Sequence, residues 1–137
     1  MAPPSNPGGK VRQVVLLSAP PEQVYAAFLE SRRHSEFTGD TAKIAARVGG
    51  RFSAYGGYSV GRILALRPGK EIALTWRAED WPEGAESKVR IRLEKTPRGT
   101  RLTFLQEGIP RGYLAEIRSG WREWYWQPLR EYLRPKK

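Results

Sequence analysis

The sequence predicts an α+β fold: a curved antiparallel sheet of about seven strands around a long C-terminal helix, with two short helices after the first strand. Three observations carry this. Between Lys43 and Glu107 the apolar residues recur with a period of two, punctuated by Gly- and Pro-bearing turns. The segment from about Arg111 to Leu133 changes to helical spacing and is rich in large side chains. A β-branched run near the N-terminus is followed by a proline-led helix start.

Val11–Leu17 is the first strand. Pro20 and Pro21 then suit a first helical turn, where a missing N–H costs nothing, and Glu22 complements the helix dipole. Val24, Tyr25, Phe28 and Leu29 give that helix one apolar face, and Ser31–Phe37 makes a second short helix. The next strands are expected at Lys43–Val48, Arg51–Tyr55, Tyr58–Arg67, Glu71–Ala78, Ser87–Lys95 and Thr100–Glu107. Their short connections imply a meander. In the last three, apolar residues such as Ile72, Leu74, Val89, Ile91 and Leu102 alternate with polar ones, so one sheet face is covered and the other is wet. Leu114, Ile117, Trp121, Trp124, Tyr125 and Leu129 form the helical stripe that covers it. Gly120 predicts a portal or a close backbone approach, and Pro128 a kink or break near Trp124–Pro128.

Length and composition set the outer limits. A chain of 137 residues suits one domain, expected over residues 10–133 between a disordered tail at 1–9 and a basic tail at 134–137. Zero cysteines exclude disulfides, thiol catalysis and thiolate–metal sites. No stretch reads as a secretory signal or approaches the ~20 apolar residues of a membrane span, so the expectation is a cytoplasmic protein. The formal charge of +10 attracts anionic partners. Arg77, Lys88, Arg90, Arg92 and Arg101 fall on the wet face, but they are dispersed and no nucleic-acid recognition motif accompanies them.

The residues that could carry chemistry are few. His34, the one histidine, lies beside Arg32 and Arg33 and reads as a solvated or capping residue. It lacks a partner nucleophile, and no carboxylate spacing suits a metal, so no catalytic residue, metal or cofactor is assigned. Glu79, Asp80, Glu83 and Glu86 read as a solubilising or partner-contacting loop patch. The candidate ligand site is aromatic: Phe52, Trp76, Phe104, Trp121, Trp124 and Tyr125 are placed between sheet and helix, with Gln106, Tyr55 and Tyr58 as orienting polar groups. The competing reading of the aromatic set is plain core. Trp81, in a turn beside Pro82, either folds back over a hydrophobic edge or stands partly exposed as an interface anchor, and with Trp126 it is assigned to partner contact.

The element order resembles the helix-grip fold of the START-like (SRPBCC) superfamily. Phe37-Thr38-Gly39, Gly49-Gly50-Arg51-Phe52, Ile72–Arg77 with Asp80–Gly84, Gly108-Ile109-Pro110 and Gly120–Trp126 resemble the AHSA family. These are homologues of the C-terminal domain of the activator of the heat-shock chaperone ATPase. The resemblance implies a non-catalytic, cochaperone-like domain that contacts a heat-shock chaperone or client, or that carries a small apolar ligand. The alternative it implies is an enzyme of the polyketide cyclase/aromatase type using the same cavity. About ten residues precede the first strand, so the N-terminal domain of the eukaryotic activators is expected to be absent.

Overall fold

A computed structural model describes residues 9–135. Most of the two expected tails, residues 1–8 and 136–137, lies outside the described residues. Strand β1 (Gly9–Leu17) leads into helices α1 (Pro21–Leu29) and α2 (Ser31–Thr38). Strands β2 (Lys43–Ile44), β3 (Arg51–Ala54), β4 (Ser59–Arg67), β5 (Glu71–Ala78), β6 (Ser87–Thr96) and β7 (Gly99–Ile109) follow. They form one seven-stranded antiparallel sheet in the order β1-β7-β6-β5-β4-β3-β2. The meander is as expected, and β1 adds itself to β7.

Register aligns the inward residues in rows across the strands. Gln13 faces Phe104, which faces Ile91, which faces Ile72. Val11, Gln106, Val89 and Leu74 make the neighbouring row. Such rows give the helix a continuous apolar floor with a few polar groups set into it.

Two strand expectations change. β2 covers Lys43–Ile44 and not Lys43–Val48. After Ala45 the chain turns, with Arg47 N–H donating to Ala45 O at 2.7 Å and Gly50 N–H to Arg47 O at 2.8 Å. Gly49 takes φ +85°, and Val48 is left exposed. β3 ends at Ala54, because Tyr55–Gly57 forms a tight helical turn that points the Tyr55 side chain toward the C-terminal helix. Gly61, in the middle of β4, is required by close approach. A Cβ there would sit 1.8 Å from the Thr75 carbonyl oxygen.

The C-terminal helix runs in three registers: α3 (Leu114–Trp121), a π-turn (Arg122–Trp126) and α4 (Gln127–Tyr132). The irregularity falls where Pro128 predicts it, as a widened turn and not a break. Pro128 has no N–H for the Trp124 carbonyl four residues earlier, and the Tyr55 hydroxyl donates to that carbonyl instead. The π-turn advances the inward face by one residue, so Trp121, Tyr125, Trp126 and Leu129 are buried while Trp124 is 56% exposed.

Candidate functional site

Buried hydrogen bonds and stacked rings bind the helix to the sheet. Trp121 Nε1–H donates to Gln106 Oε1 at 2.8 Å, Gln106 Nε2 donates to Ser87 Oγ at 2.9 Å, and Ser87 Oγ donates to the Trp76 carbonyl at 2.7 Å. In parallel, Trp126 Nε1–H donates to Gln13 Oε1 at 2.6 Å, and Gln13 Nε2 returns to the Arg118 carbonyl at 3.0 Å. The Trp121 ring lies 4.4 Å from both Phe104 and Tyr125, centroid to centroid. The side-chain polar groups of Gln13, Ser87, Gln106, Trp121 and Trp126 are thereby satisfied.

His34 is not solvated. It is fully buried, with Nδ1–H donating to the Phe28 carbonyl at 2.8 Å and Nε2 accepting from the Tyr125 hydroxyl at 3.0 Å. A carbonyl can only accept, which fixes the proton on Nδ1. Burial pushes the imidazole down to about 4, opposed by its bond to Phe28. Burial also raises the Tyr125 phenol well above its usual range, with Tyr55 adding to the rise. Ser59 lies near enough to oppose that rise, but its Oγ does not reach hydrogen-bond geometry with any group. The signal for His34 was its helical spacing with Phe37 on α2, since both face inward.

Beside this floor lies a cavity of about 700 Å³ between α3, the π-turn, and the β4–β5 side of the sheet. Tyr55, Trp76, Trp121 and Tyr125 form walls, and the exposed Tyr58 and Trp124 stand at its mouth. Gly120 opens it: a Cβ there meets only Trp124 Cδ1, at 3.9 Å, so of the two roles expected for this glycine the portal fits and close packing does not. Two buried polar atoms of its lining residues have no hydrogen-bond partner, Ser59 Oγ and Trp76 Nε1. Burial, with Asp40 adding, pushes the Tyr55 phenol up to about 12. Phe52, Phe104 and Gln106 are fully buried behind the cavity and do not line it.

Trp81 and Trp126, assigned to partner contact from the sequence, do not present exposed indoles. Both are almost fully buried. Trp81 folds back because Arg77, placed on the wet face, ties down its loop through the carbonyls of Trp81, Pro82 and Ala85 at 2.9–3.1 Å. The Trp81 ring then rests 5.4 Å from Trp76 and closes one side of the cavity. Trp126 is drawn in by the π-turn, and Trp124, expected in the core, is turned out in exchange. Sequence reasoning passed over Gln13 and Ser59. Gln13 was findable, since the period of β1 puts it on the same face as Val11 and Val15. Other wet-face cations are partly neutralised, Arg90 and Arg92 by Glu71 and Arg101 by Glu94. Among the described residues no acidic or histidine cluster suits a metal, and no helix is long and apolar enough to cross a membrane.

A curved antiparallel sheet closed on one C-terminal helix, with a cavity between them, defines the helix-grip class of proteins. The chain belongs to the family described as Activator of Hsp90 ATPase homolog 1-like protein, whose model matches residues 18–134. Activator of 90 kDa heat shock protein ATPase homolog 1 of Mus musculus is 30% identical over 111 residues, covering 81% of this chain and 33% of that protein. The Dictyostelium discoideum homologue is 32% identical over 103 residues, covering 74% and 27%. The chain therefore spans about a third of the length of these relatives. An HSP90 activator from Plasmodium falciparum has the same fold, with a TM-score of 0.86 at 24% identity over 95% of this chain and 100% of that one.

Proposed function

We propose that residues 10–133 form a non-catalytic binding domain that holds a small, largely apolar ligand in the cavity between sheet and helix. The observation that carries this is the pair of buried, unpartnered polar atoms, Ser59 Oγ and Trp76 Nε1, on residues lining an aromatic cavity of about 700 Å³. Close-packed interiors leave few such atoms, whereas binding pockets use a few to orient a guest. Tyr55, Tyr58, Trp76, Trp121, Trp124 and Tyr125 supply contact, and Phe52, Phe104 and Gln106 hold the contact residues in place. The cyclase or aromatase alternative draws no support from His34, which lies outside the cavity lining with both nitrogens engaged. A cytoplasmic location belongs to the same proposal.

Gly120→Leu tests the reading, because it places a side chain in the cavity while removing a helix-interior glycine. Titrated with the neutral fluorophore N-phenyl-1-naphthylamine, the wild type should saturate and the variant should bind at least tenfold more weakly. The variant should be as stable as wild type, or more so by about 0.8 kcal/mol. A wild-type protein that never saturates sinks the proposal.

Contact with a heat-shock chaperone or its client is the companion proposal, supported by family membership and by the names of the relatives. With Trp81 and Trp126 buried, the exposed indole of Trp124 is the anchor this surface offers. Trp124→Ala should weaken binding of the purified chaperone by about tenfold in surface plasmon resonance, as loss of an interface hot spot does. Equal affinity removes Trp124 from that role.

A further inference from the structure

The cavity is charged against the grain of the molecule. The chain carries 24 Lys and Arg against 14 Asp and Glu. Yet no Lys or Arg lines the cavity, and three carboxylates do: Asp40 after α2, Glu116 on α3 and Glu123 in the π-turn. None of the three has an ion-pair partner among the described residues, whereas six of the other eleven acids do, Glu71 between Arg90 and Arg92 among them. Their field reaches the walls. Asp40 adds to the upward push that burial exerts on the Tyr55 phenol, and at Tyr58, in the mouth, Glu116 adds to burial behind the larger effect of Asp80.

The cavity's aromatic lining includes Trp76 and Trp121 in its walls and Trp124 at its mouth. The faces of indole and phenol rings attract a cation placed within about 6 Å, Trp most strongly. The buried end asks for something else. Trp76 Nε1–H is a donor only, so the atom that satisfies it must be an acceptor, and Ser59 Oγ can donate as well. Ser59 is 1% exposed and Trp76 4%, so that end is dry and disfavours a charge lacking a counter-ion. A carboxylate or phosphate ligand would find no cation in the cavity and three like charges around it. The net charge of +10 does not reverse this preference, because none of the Lys and Arg side chains that carry it lines the cavity, and charges beyond about 8 Å are screened at physiological salt.

We propose that the cavity selects an organic cation, with an ammonium group at the acidic, aromatic mouth, an apolar body along the walls and an uncharged hydrogen-bond acceptor at the buried end. This rests on the binding-domain reading above and adds the class of ligand.

Three benzophenones of matched shape test it on the full chain by isothermal titration calorimetry. They are (4-benzoylbenzyl)trimethylammonium, neutral 4-methylbenzophenone and anionic 4-benzoylbenzoate, which share the ketone acceptor and differ in the charge at the far end. The cation should bind about tenfold tighter than the neutral ketone, and the anion most weakly. In the double variant Glu116→Gln with Glu123→Gln the cation's advantage should fall to about twofold or less, with the neutral ketone's Kd unchanged. Both positions are exposed, so the fold tolerates them. Asp40 is left intact because its Oδ1 accepts the Thr41 N–H at 2.7 Å. Equal binding of cation and neutral ketone, tighter binding of the anion, or a cation advantage that survives the double variant overturns the assignment while leaving a binding cavity. Failure of all three to bind overturns the cavity reading as well.

Discussion

Lowering the pH from 6.5 to 4 should destabilise the protein by about 3 kcal/mol through His34, the figure that follows from its downward shift to about 4. In the unfolded chain the imidazole titrates near its ordinary 6.5, while in the fold it stays neutral, buried, with both nitrogens bonded. Below pH 6.5 the unfolded state therefore binds more protons than the folded state. Stability is fully present above about 6.5, falls as the pH drops, and stops falling through this group below about 4. Because the chain has a single histidine, the slope between pH 6.5 and 5, above the carboxylate range, belongs to His34 alone. Urea midpoints measured across that window should fall steadily in wild type and stay flat in His34→Phe. At pH 7 the variant should itself be about 2–3 kcal/mol less stable, since the Phe28 carbonyl and the Tyr125 hydroxyl each lose a buried partner. A wild-type midpoint independent of pH would falsify the neutral, buried assignment.

The second large effect is expected at Trp121. Truncation to Ala should cost about 4 kcal/mol, within the usual range for a buried Trp. The side chain stacks against Phe104, Tyr125, Trp126 and Trp76, and its N–H begins the hydrogen-bond chain through Gln106 and Ser87 to β5. Trp121→Phe retains a ring but leaves Gln106 Oε1 unpaired, and should cost about 2 kcal/mol. Against a typical total of about 5–15 kcal/mol, the Ala variant would be near the edge of folding. Equilibrium urea unfolding of the two variants separates ring from hydrogen bond. A loss below 1 kcal/mol in the Ala variant would mean that the helix is held by something other than this contact.

The sheet was legible because β5, β6 and β7 alternate, with Leu105 out of phase, and period two on a half-covered surface leaves little choice of phase. The helix was legible in position but not in phase. A regular α-helix through Trp121 keeps Trp124 on the inner side, and only the π-turn replaces it with Trp126. Pro128 marked the place, but a missing N–H can yield a kink, a break or a wider turn, and the choice depends on Tyr55, sixty-nine residues before the Trp124 whose carbonyl it takes. The burial of Trp81, assigned to partner contact, was hidden for a similar reason. Loop position suggests exposure, and only the guanidinium of Arg77, reaching three carbonyls, folds the loop inward. At the site, the aromatic walls were readable from the helical stripe and the strand phase. The acidic mouth was not, since Asp40, Glu116 and Glu123 come together only when α2, α3 and the π-turn meet.

The exchange of Trp124 for Trp126 gives the molecule a built-in optical reporter. Of its five indoles, four are shielded by the fold and Trp124 stands in solvent at the cavity mouth. A dissolved quencher such as the caesium cation meets that one chromophore first, so the fraction of native emission it extinguishes tracks the mouth. Emission from the other four tracks the grip of sheet on helix. Occupancy and unfolding thus leave separable signatures in the unlabelled protein.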